Sequence, residues 1–175
     1  MSVVPIVIPA RMDSERLPGK VLKYIGDLPM LEHVRRQCVD AVGEENVYVA
    51  SGDREILDAM SLYGARTVQT FKDHINGTSR VREAAQSLSL EDVIIVQGDE
   101  PFIAVENIQT FQNNMATEDV ADILCATSQL GQPEDLTNDE VVKCACAPNG
   151  EILFLFRGSP FTRSGIENAA KIQGI

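Results

Sequence analysis

The sequence predicts an α/β fold, in which a mostly parallel sheet is flanked by helices and an antiparallel hairpin lies near the carboxyl terminus. Short, almost continuously apolar segments, typical of strands buried on both faces, alternate with segments that carry apolar residues at helical spacing. Such alternation favours right-handed crossovers and parallel neighbours. Near the end of the chain, two apolar segments are joined by Asn149-Gly150, a strong local signal of a hairpin.

The elements are predicted in order along the chain. Residues 3–10 predict a buried strand, in which Pro5 fits a central ladder poorly because it lacks an N–H. Residues 29–42 predict an amphipathic helix, with Pro29 in its first turn and Gly43 just beyond its end. The other predicted elements are strands at 46–51, 65–70, 93–96 and 123–126, helices at 54–62 and 105–115, and a helix capped by Thr78 that runs to Leu88.

The carboxyl-terminal part differs in character from the rest. Residues 141–147 and 152–157 predict the two strands of the hairpin, and residues 171–175 resemble the opening of one more strand. No repeat or linker indicates a domain boundary, so we predict a single domain over residues 1–175. We therefore expect the chain to be truncated at its carboxyl terminus.

The charge of the chain restricts its partners. A net charge of −11 and a pI near 4.6 would repel a polyanion over most of the surface, so a nucleic-acid partner is disfavoured. No segment approaches the roughly 20 apolar residues that span a bilayer, and the amino terminus lacks the basic region of a secretory signal. We therefore expect no membrane insertion and a cytoplasmic location.

The cysteines show no metal-site spacing. Neither a Cys-x-x-Cys pair nor histidines at zinc spacing accompany them, and we predict reduced core thiols. Cys144 and Cys146 are two residues apart in a predicted strand, so we expect them to share one buried face. The other two cysteines are Cys38 and Cys125.

The loop after the first strand is the first candidate site, because ligands of open parallel sheets bind beyond the carboxyl ends of the strands. This loop places Arg11, Arg16 and Lys20 close together in sequence. Residues 1–36 carry a net charge of +2, whereas the remainder carries −13. The pattern fits a triphosphate pocket or a solvated polar loop, but it matches neither a Walker P-loop nor Gly-x-Gly-x-x-Gly.

The second candidate site is the segment after the apolar strand at 93–96. Here Asp99 follows Gly98 at the predicted carboxyl end of the strand, where a carboxylate is well placed to hold Mg²⁺. Gly-Asp shortly before Pro is also ordinary turn chemistry, so both interpretations stay open. A cationic loop at the same sheet edge favours the metal site.

Several motifs, in order, are similar to those of the CMP-Kdo synthetases, the 3-deoxy-manno-octulosonate cytidylyltransferases. They begin with Pro9-Ala10-Arg11 and continue over nearly the whole chain to Phe156-Arg157. The resemblance implies a Rossmann-like nucleotidyltransferase fold, a homodimer, and Mg²⁺-dependent transfer of CMP from CTP to a Kdo-type sugar acid for lipopolysaccharide or capsule precursors. The motifs between these ends are Ser14-x-Arg16-Leu17-Pro18-Gly19-Lys20, Gly77-Thr78-x-Arg80, Val96-Gln97-Gly98-Asp99-Glu100-Pro101 and Val142-Lys143.

The resemblance also implies roles for individual residues. Arg11, Arg16, Lys20 and Asp99 would be catalytic, with the three cations on the triphosphate and Asp99 on the metal. A guanidinium such as that of Arg157 can pair with a carboxylate in a bidentate fashion. The implied nucleotide-binding residues are Ala10, Arg11, Arg16, Lys20, Asn76, Gly77 and Arg80, and the implied sugar-acid-binding residues are Gln97 and Arg157.

Departures from the family pattern leave other functions open. The chain has Ser51-Gly52-Asp53 where the family usually has Thr-Asp, and Ser79 where the family usually has Glu. The family enzymes also continue past the end of this chain. One alternative is a cytidylyltransferase for another acidic sugar, such as an amino-Kdo or a sialic-like acid. The other is a nucleotide-binding module without catalysis.

Overall fold

The computed structural model describes residues 3–14, 16–115 and 121–158, and contacts divide the chain into two compact units, Met1–Asp122 and Ile123–Ile175. The prediction of a single domain over residues 1–175 stays a prediction. The strands are β1 (Ile6–Ala10), β2 (Tyr24–Ile25), β3 (Leu28–Pro29), β4 (Val47–Ser51), β5 (Arg66–Gln69), β6 (Ile94–Ile95), β7 (Lys143–Cys146) and β8 (Ile152–Phe156). The helices are α1 (Met30–Val42), α2 (Arg54–Ser61), α3 (Gly77–Leu88) and α4 (Val105–Met115).

The first unit is built on a parallel sheet of strand order β5-β4-β1-β6, which confirms the predicted fold class. All five residues of β1 are buried, as expected for a strand with neighbours on both edges and helices on both faces. The strand begins at Ile6, so its predicted start at residue 3 was wrong. Pro5 cannot donate to a ladder, although its carbonyl oxygen accepts from the Ile94 amide at 2.8 Å.

Helices cover both faces of this sheet, because successive side chains of β1 point to opposite sides. Val7 packs with Val81 and Ala84 of α3 on one face. Ile6 and Ile8 point to the other face and join the larger core. That core includes residues of α1, α2 and α4, namely Leu31, Val34, Cys38, Ile56, Met60 and Ile108.

Two local features of the first unit differ from the predictions. The cap of α3 is Asn76 rather than Thr78, since the Asn76 Oδ1 accepts from the Ser79 amide at 2.8 Å and satisfies a free donor of the first turn. The short antiparallel pair β2–β3 was not predicted. Its turn uses Gly26, whose φ of 63° lies in the left-handed region that glycine adopts readily.

The second unit contains the predicted hairpin, in which β7 and β8 pair antiparallel. Gly150 in its turn has a φ of 88°. The strand predicted at 123–126 does not form, and the Ile123 side chain is exposed. An apolar run becomes a strand only where a neighbour takes its backbone hydrogen bonds. The strand opening predicted at residues 171–175 lies outside the described residues.

The prediction of four core thiols holds for Cys38 alone. Cys38 is buried between the sheet and the helices, whereas Cys125 and Cys146 are exposed and Cys144 is half-buried. Cys144 and Cys146 do share a face, with their sulfur atoms 3.4 Å apart. That face is not buried, because the described part of the second unit holds only the hairpin and a 3-10 turn at Pro133–Leu136. None of the described helices could cross a membrane.

Candidate functional site

The strand order fixes where a ligand would bind in the first unit. The chain passes from β1 to β4 and β5 on one side, and then returns to place β6 on the other side of β1. In open α/β sheets this reversal leaves a crevice at the carboxyl ends of the two strands. The loops that border it follow Ala10 and Ile95, and they are the two segments that the sequence analysis selected.

An ion pair joins these two loops across the crevice. Lys20 donates a hydrogen bond through Nζ to Oδ2 of Asp99, 79 residues further along the chain. Both side chains remain partly open to solvent, with 31% and 41% of their surfaces exposed. Two of the four residues that the resemblance assigns to catalysis therefore lie in contact.

Tight backbone geometry positions both partners. Gly19, at a φ of 66°, donates from its amide to the Met12 carbonyl oxygen at 2.8 Å and closes the loop just before Lys20. On the other side, a Cβ at Gly98 would lie 2.9 Å from the carbonyl oxygen of Pro9, so only glycine allows this approach to β1. The two glycines therefore hold the loops close enough for the ion pair.

Two more predicted residues meet at the same edge. A Cβ at Gly77 would lie 3.2 Å from Pro9 Cγ and 3.4 Å from Gln97 Oε1, which places the start of α3 against the end of β1. Ala10, the last residue of β1, is 96% buried, since its side chain faces the core. The adjacent Asn76 uses its side-chain oxygen as the cap of α3. Gly77 and Gln97 are thus neighbours, as a shared site requires.

The remaining cations of the first loop lie toward solvent. Arg11 and Arg16 are exposed. An open cavity of about 330 Å³ is lined by Arg11, Asp13, Ser14 and Pro18. Lys20 and Asp99 are not among the described residues that line it. The loop thus offers open space beside Arg11, next to a pair of opposite charges.

Arg80 of α3 has a structural role, because it binds the segment that follows β5. Its guanidinium is buried and donates to Thr70 Oγ1 at 2.7 Å, to the Phe71 carbonyl at 3.1 Å and to the Lys72 carbonyl at 3.0 Å. Burial lowers the pKa of Arg80, an effect that the nearby carboxylates oppose and Arg11 reinforces. The guanidinium fastens the segment after β5 to α3, and its contact with a nucleotide stays a prediction.

Asp53, which follows β4 at the same sheet edge, was not predicted as a site residue. Its Oδ2 accepts from the Met12 amide at 2.8 Å, and its Oδ1 lies 3.8 Å from Lys72 Nζ. Only 12% of this side chain is exposed. Its position directly after a predicted strand, like that of Asp99, was the available signal.

His74 lies in the segment after β5, and its side chain is mostly buried. The side chain is only 15% exposed, with Nε2 at 2.6 Å from Glu83 Oε2 and Nδ1 at 3.2 Å from Ser79 Oγ. Glu83 also accepts from the Phe71 amide at 3.1 Å. These contacts add a second attachment of the segment after β5 to α3.

Arg157 belongs to the second unit. Its Nη1 donates to the Glu140 carbonyl oxygen at 2.9 Å, and its own carbonyl oxygen accepts from the buried Lys143 ammonium. The guanidinium is exposed within this unit. Its pairing with a sugar carboxylate stays a prediction.

The fold and the site together define the class of the protein, an α/β nucleotidyltransferase fold with a cation and a carboxylate facing each other at the switch point of its sheet. Residues 5–169 match the model of the family described as Cytidylyltransferase, and the chain belongs to this family. The family resemblance expected from the motifs is confirmed.

Individual relatives carry more specific names. The 3-deoxy-manno-octulosonate cytidylyltransferases of Hahella chejuensis and Francisella philomiragia are 36% and 35% identical over 97% and 94% of the chain. A solved structure described as CMP:2-keto-3-deoxy-manno-octonic acid synthetase complexed with CTP superimposes with a TM-score of 0.78 at 25% identity, over 99% of this chain and 80% of that one. The chain spans 68% and 67% of the length of the two curated relatives, about two thirds.

Proposed function

We propose that the protein is a cytidylyltransferase that couples CTP to 3-deoxy-manno-octulosonate, releasing pyrophosphate and the CMP-sugar acid. The contact of Lys20 with Asp99 across the crevice carries this proposal, because it supplies one cation and one carboxylate where a metal-bound triphosphate would lie. The names of the relatives and the CTP in the neighbouring structure support the same substrates.

The transfer needs positioning and charge rather than a protein nucleophile. The anomeric hydroxyl oxygen of the sugar acid attacks the α-phosphorus, the bond to the bridging oxygen breaks, and pyrophosphate leaves with that electron pair while the hydroxyl proton passes to solvent. Negative charge develops on the phosphate oxygens. Cationic side chains held in fixed positions against these oxygens would lower the barrier, and the candidates are Arg11, Arg16 and Lys20. The loop closure at Gly19 supports such a fixed position for Lys20.

The residues at the crevice fit Mg²⁺. This ion usually takes one or two carboxylates together with phosphate oxygens and water, and Asp99 offers one partly exposed carboxylate. The described residues hold no cluster of three histidine, cysteine or acidic side chains that could form a metal cage. Asp99 would therefore hold the ion jointly with the substrate. Mg²⁺ would neutralise charge at the phosphates. Lys20 would then break its ion pair with Asp99 and contact the phosphate oxygens.

The other predicted residues would surround the two substrates. Ala10, Asn76 and Gly77 line the edge where the nucleoside would lie, and Arg80 would act there through the segment it fastens. For the sugar acid we propose Gln97, which lies beside Gly77, and Arg157, whose guanidinium can form a bidentate pair with a carboxylate. We place the reaction in the cytoplasm, in a homodimer, where it would supply lipopolysaccharide or capsule precursors.

Pyrophosphate release tests this function directly. We expect release that requires CTP, Mg²⁺ and 3-deoxy-manno-octulosonate together. Lys20→Gln should lower kcat/KM by about 10²-fold, since it removes one charged donor to the triphosphate. Lys23→Gln is the matched control, because this nearby lysine is exposed and makes no described contact with Asp99.

The same assay separates the alternatives. Turnover only with an amino-Kdo or a sialic-like acid would assign another acceptor. CTP binding without turnover on any acid in the panel would indicate a nucleotide-binding module. An unchanged kcat/KM in Lys20→Gln, in an otherwise active enzyme, would contradict the role of the ion pair.

A further inference from the structure

Asp53 connects three segments at the edge of the sheet that carries the candidate site. Its carboxylate accepts from the Met12 amide of the first loop at 2.8 Å and lies 3.8 Å from the ammonium of Lys72 after β5. It also lies within electrostatic range of Arg80, and Arg80 is in turn within range of Arg11. One largely buried carboxylate thus accepts from the first loop and lies near cations on two other segments.

The bond to Met12 is not a by-product of helix capping. Asp53 occupies the cap position of α2, where an aspartate side chain usually accepts from an amide of the first turn. Here the side chain makes no such bond and reaches instead to an amide 41 residues away. The carboxylate therefore accepts a hydrogen bond from the first loop and leaves its own helix without a side-chain cap.

The surrounding backbone keeps Asp53 in place. A Cβ at the preceding Gly52 would lie 2.5 Å from Lys72 Cα and 2.6 Å from the Phe71 carbonyl oxygen, so the segment after β5 lies directly against this glycine. Arg80 holds the same segment through its bonds to Thr70, Phe71 and Lys72. Asp53 thus directly follows a glycine that packs closely against a hydrogen-bonded segment, and a bond from this position can hold a loop.

We infer that Asp53 is a positioning residue for triphosphate binding, whose carboxylate holds the first loop in place so that Arg11 can meet the nucleotide. This inference rests on the proposed function for its ligand. Without the bond, the loop would occupy the binding-competent arrangement for a smaller fraction of the time. The apparent affinity for CTP falls by that same fraction.

Limited trypsin cleavage measures the position of the loop without any reference to activity. Cleavage after Arg11 and Arg16 reports opening of the loop, and cleavage after Arg36, inside α1, reports unfolding of the whole unit. We expect Asp53→Ala to speed loop cleavage about tenfold, because it removes a hydrogen bond to a charged acceptor. Cleavage after Arg36 should keep the rate of the unmodified protein.

Asp53→Asn separates the charge from the hydrogen bond. The amide oxygen can still accept from Met12, but as a neutral and weaker partner, so we expect about threefold faster loop cleavage. This variant decides the question if Asp53→Ala does not fold. Asp58→Asn is the matched control, since it removes an exposed carboxylate of α2 whose described partner is Arg54.

Kinetics with CTP supply the second readout. Asp53→Ala should raise KM for CTP about tenfold and leave kcat within about twofold, because saturating nucleotide restores the loop. Loop cleavage at the rate of the unmodified protein, or an equal rise after Arg36, would overturn the inference. If the unmodified protein shows no turnover with CTP, the proposed function fails, while the cleavage experiment still tests the hold of Asp53 on the loop.

Discussion

The thiol of Cys38 illustrates how burial controls a single residue. Its side chain lies in the larger core, and this burial raises its pKa from the ordinary value of 9.0 to about 12. The thiolate is the reactive form of cysteine, so Cys38 should be inert in the folded protein. Cys125 and Cys146 are exposed and accessible to reagents.

The raised pKa of Cys38 predicts a loss of stability at alkaline pH. The folded protein holds the thiol proton more tightly than the unfolded chain, so the contribution is constant below about pH 9 and is lost as the pH rises toward 12. We expect a decrease of about 1.4 kcal/mol per pH unit in this window. Urea unfolding at pH 8.0, 9.5 and 10.5 measures the decrease.

Cys38→Ala is the control for the other groups that titrate at alkaline pH. The variant should begin less stable because of the cavity it creates, but it lacks the titrating thiol. The difference in unfolding free energy between the two proteins should therefore narrow as the pH rises. A constant difference would contradict the effect of burial on Cys38.

Some site residues could be predicted from the sequence, and the reason is topological. Lys20 and Asp99 each follow a predicted parallel strand, and the carboxyl ends of such strands share one edge. Asp53 obeys the same rule but lies in a segment whose motif departs from the family. Arg80 donates to one hydroxyl and two backbone carbonyl groups. These bonds depend on the path of the loop after β5, which residue spacing alone does not reveal.

Helix α1 carries a buried ion-pair network that its sequence pattern did not indicate. Glu32 is fully buried and accepts from Arg35 Nε at 2.7 Å and from Arg36 Nε at 2.8 Å. Arg35 also donates to Glu44 at 3.1 Å. The pKa of Arg35 is raised chiefly by its hydrogen bond to Glu32, despite the opposing effect of burial. The network ties the first half of the helix to Glu44, which lies just after its carboxyl end.

Removing Glu32 should strongly destabilise the first unit. Glu32→Ala leaves the guanidinium of Arg35 buried without its main partner, which typically costs about 3–5 kcal/mol in unfolding free energy. Asp58→Ala breaks an exposed pair with Arg54 and should cost less than about 1 kcal/mol. Urea unfolding of both variants tests the contrast, and equal losses would refute it.

The helices and the parallel strands of the first unit form where their patterns predict them, whereas the errors fall on two segments whose pairing the pattern does not show. Helix α4 begins and ends where its spacing indicates, and the hairpin follows its Asn-Gly turn. The apolar segment that begins at Ile123 forms no strand, since pairing depends on an adjacent edge. The β2–β3 pair contains only two residues in each strand, too few to show a period.

At the scale of the whole molecule, charge and topology act together. The chain carries −11 overall, yet its first 36 residues carry +2 and supply the loop at the switch point. An anion would therefore be repelled from most of the surface and attracted to this one edge. Lys20 and Asp99 neutralise each other there. A bound metal and triphosphate would take over as partners of the two charges.

Calorimetric titration of CTP with and without Mg²⁺, on the unmodified protein and on Asp99→Asn, tests this site most directly. We predict that Mg²⁺ tightens CTP binding to the unmodified protein and that Asp99→Asn loses this gain. Binding without the metal should persist in the variant, since Lys20 no longer has a carboxylate to pair with. An equal gain from Mg²⁺ in both proteins would contradict a triphosphate site built on Lys20 and Asp99.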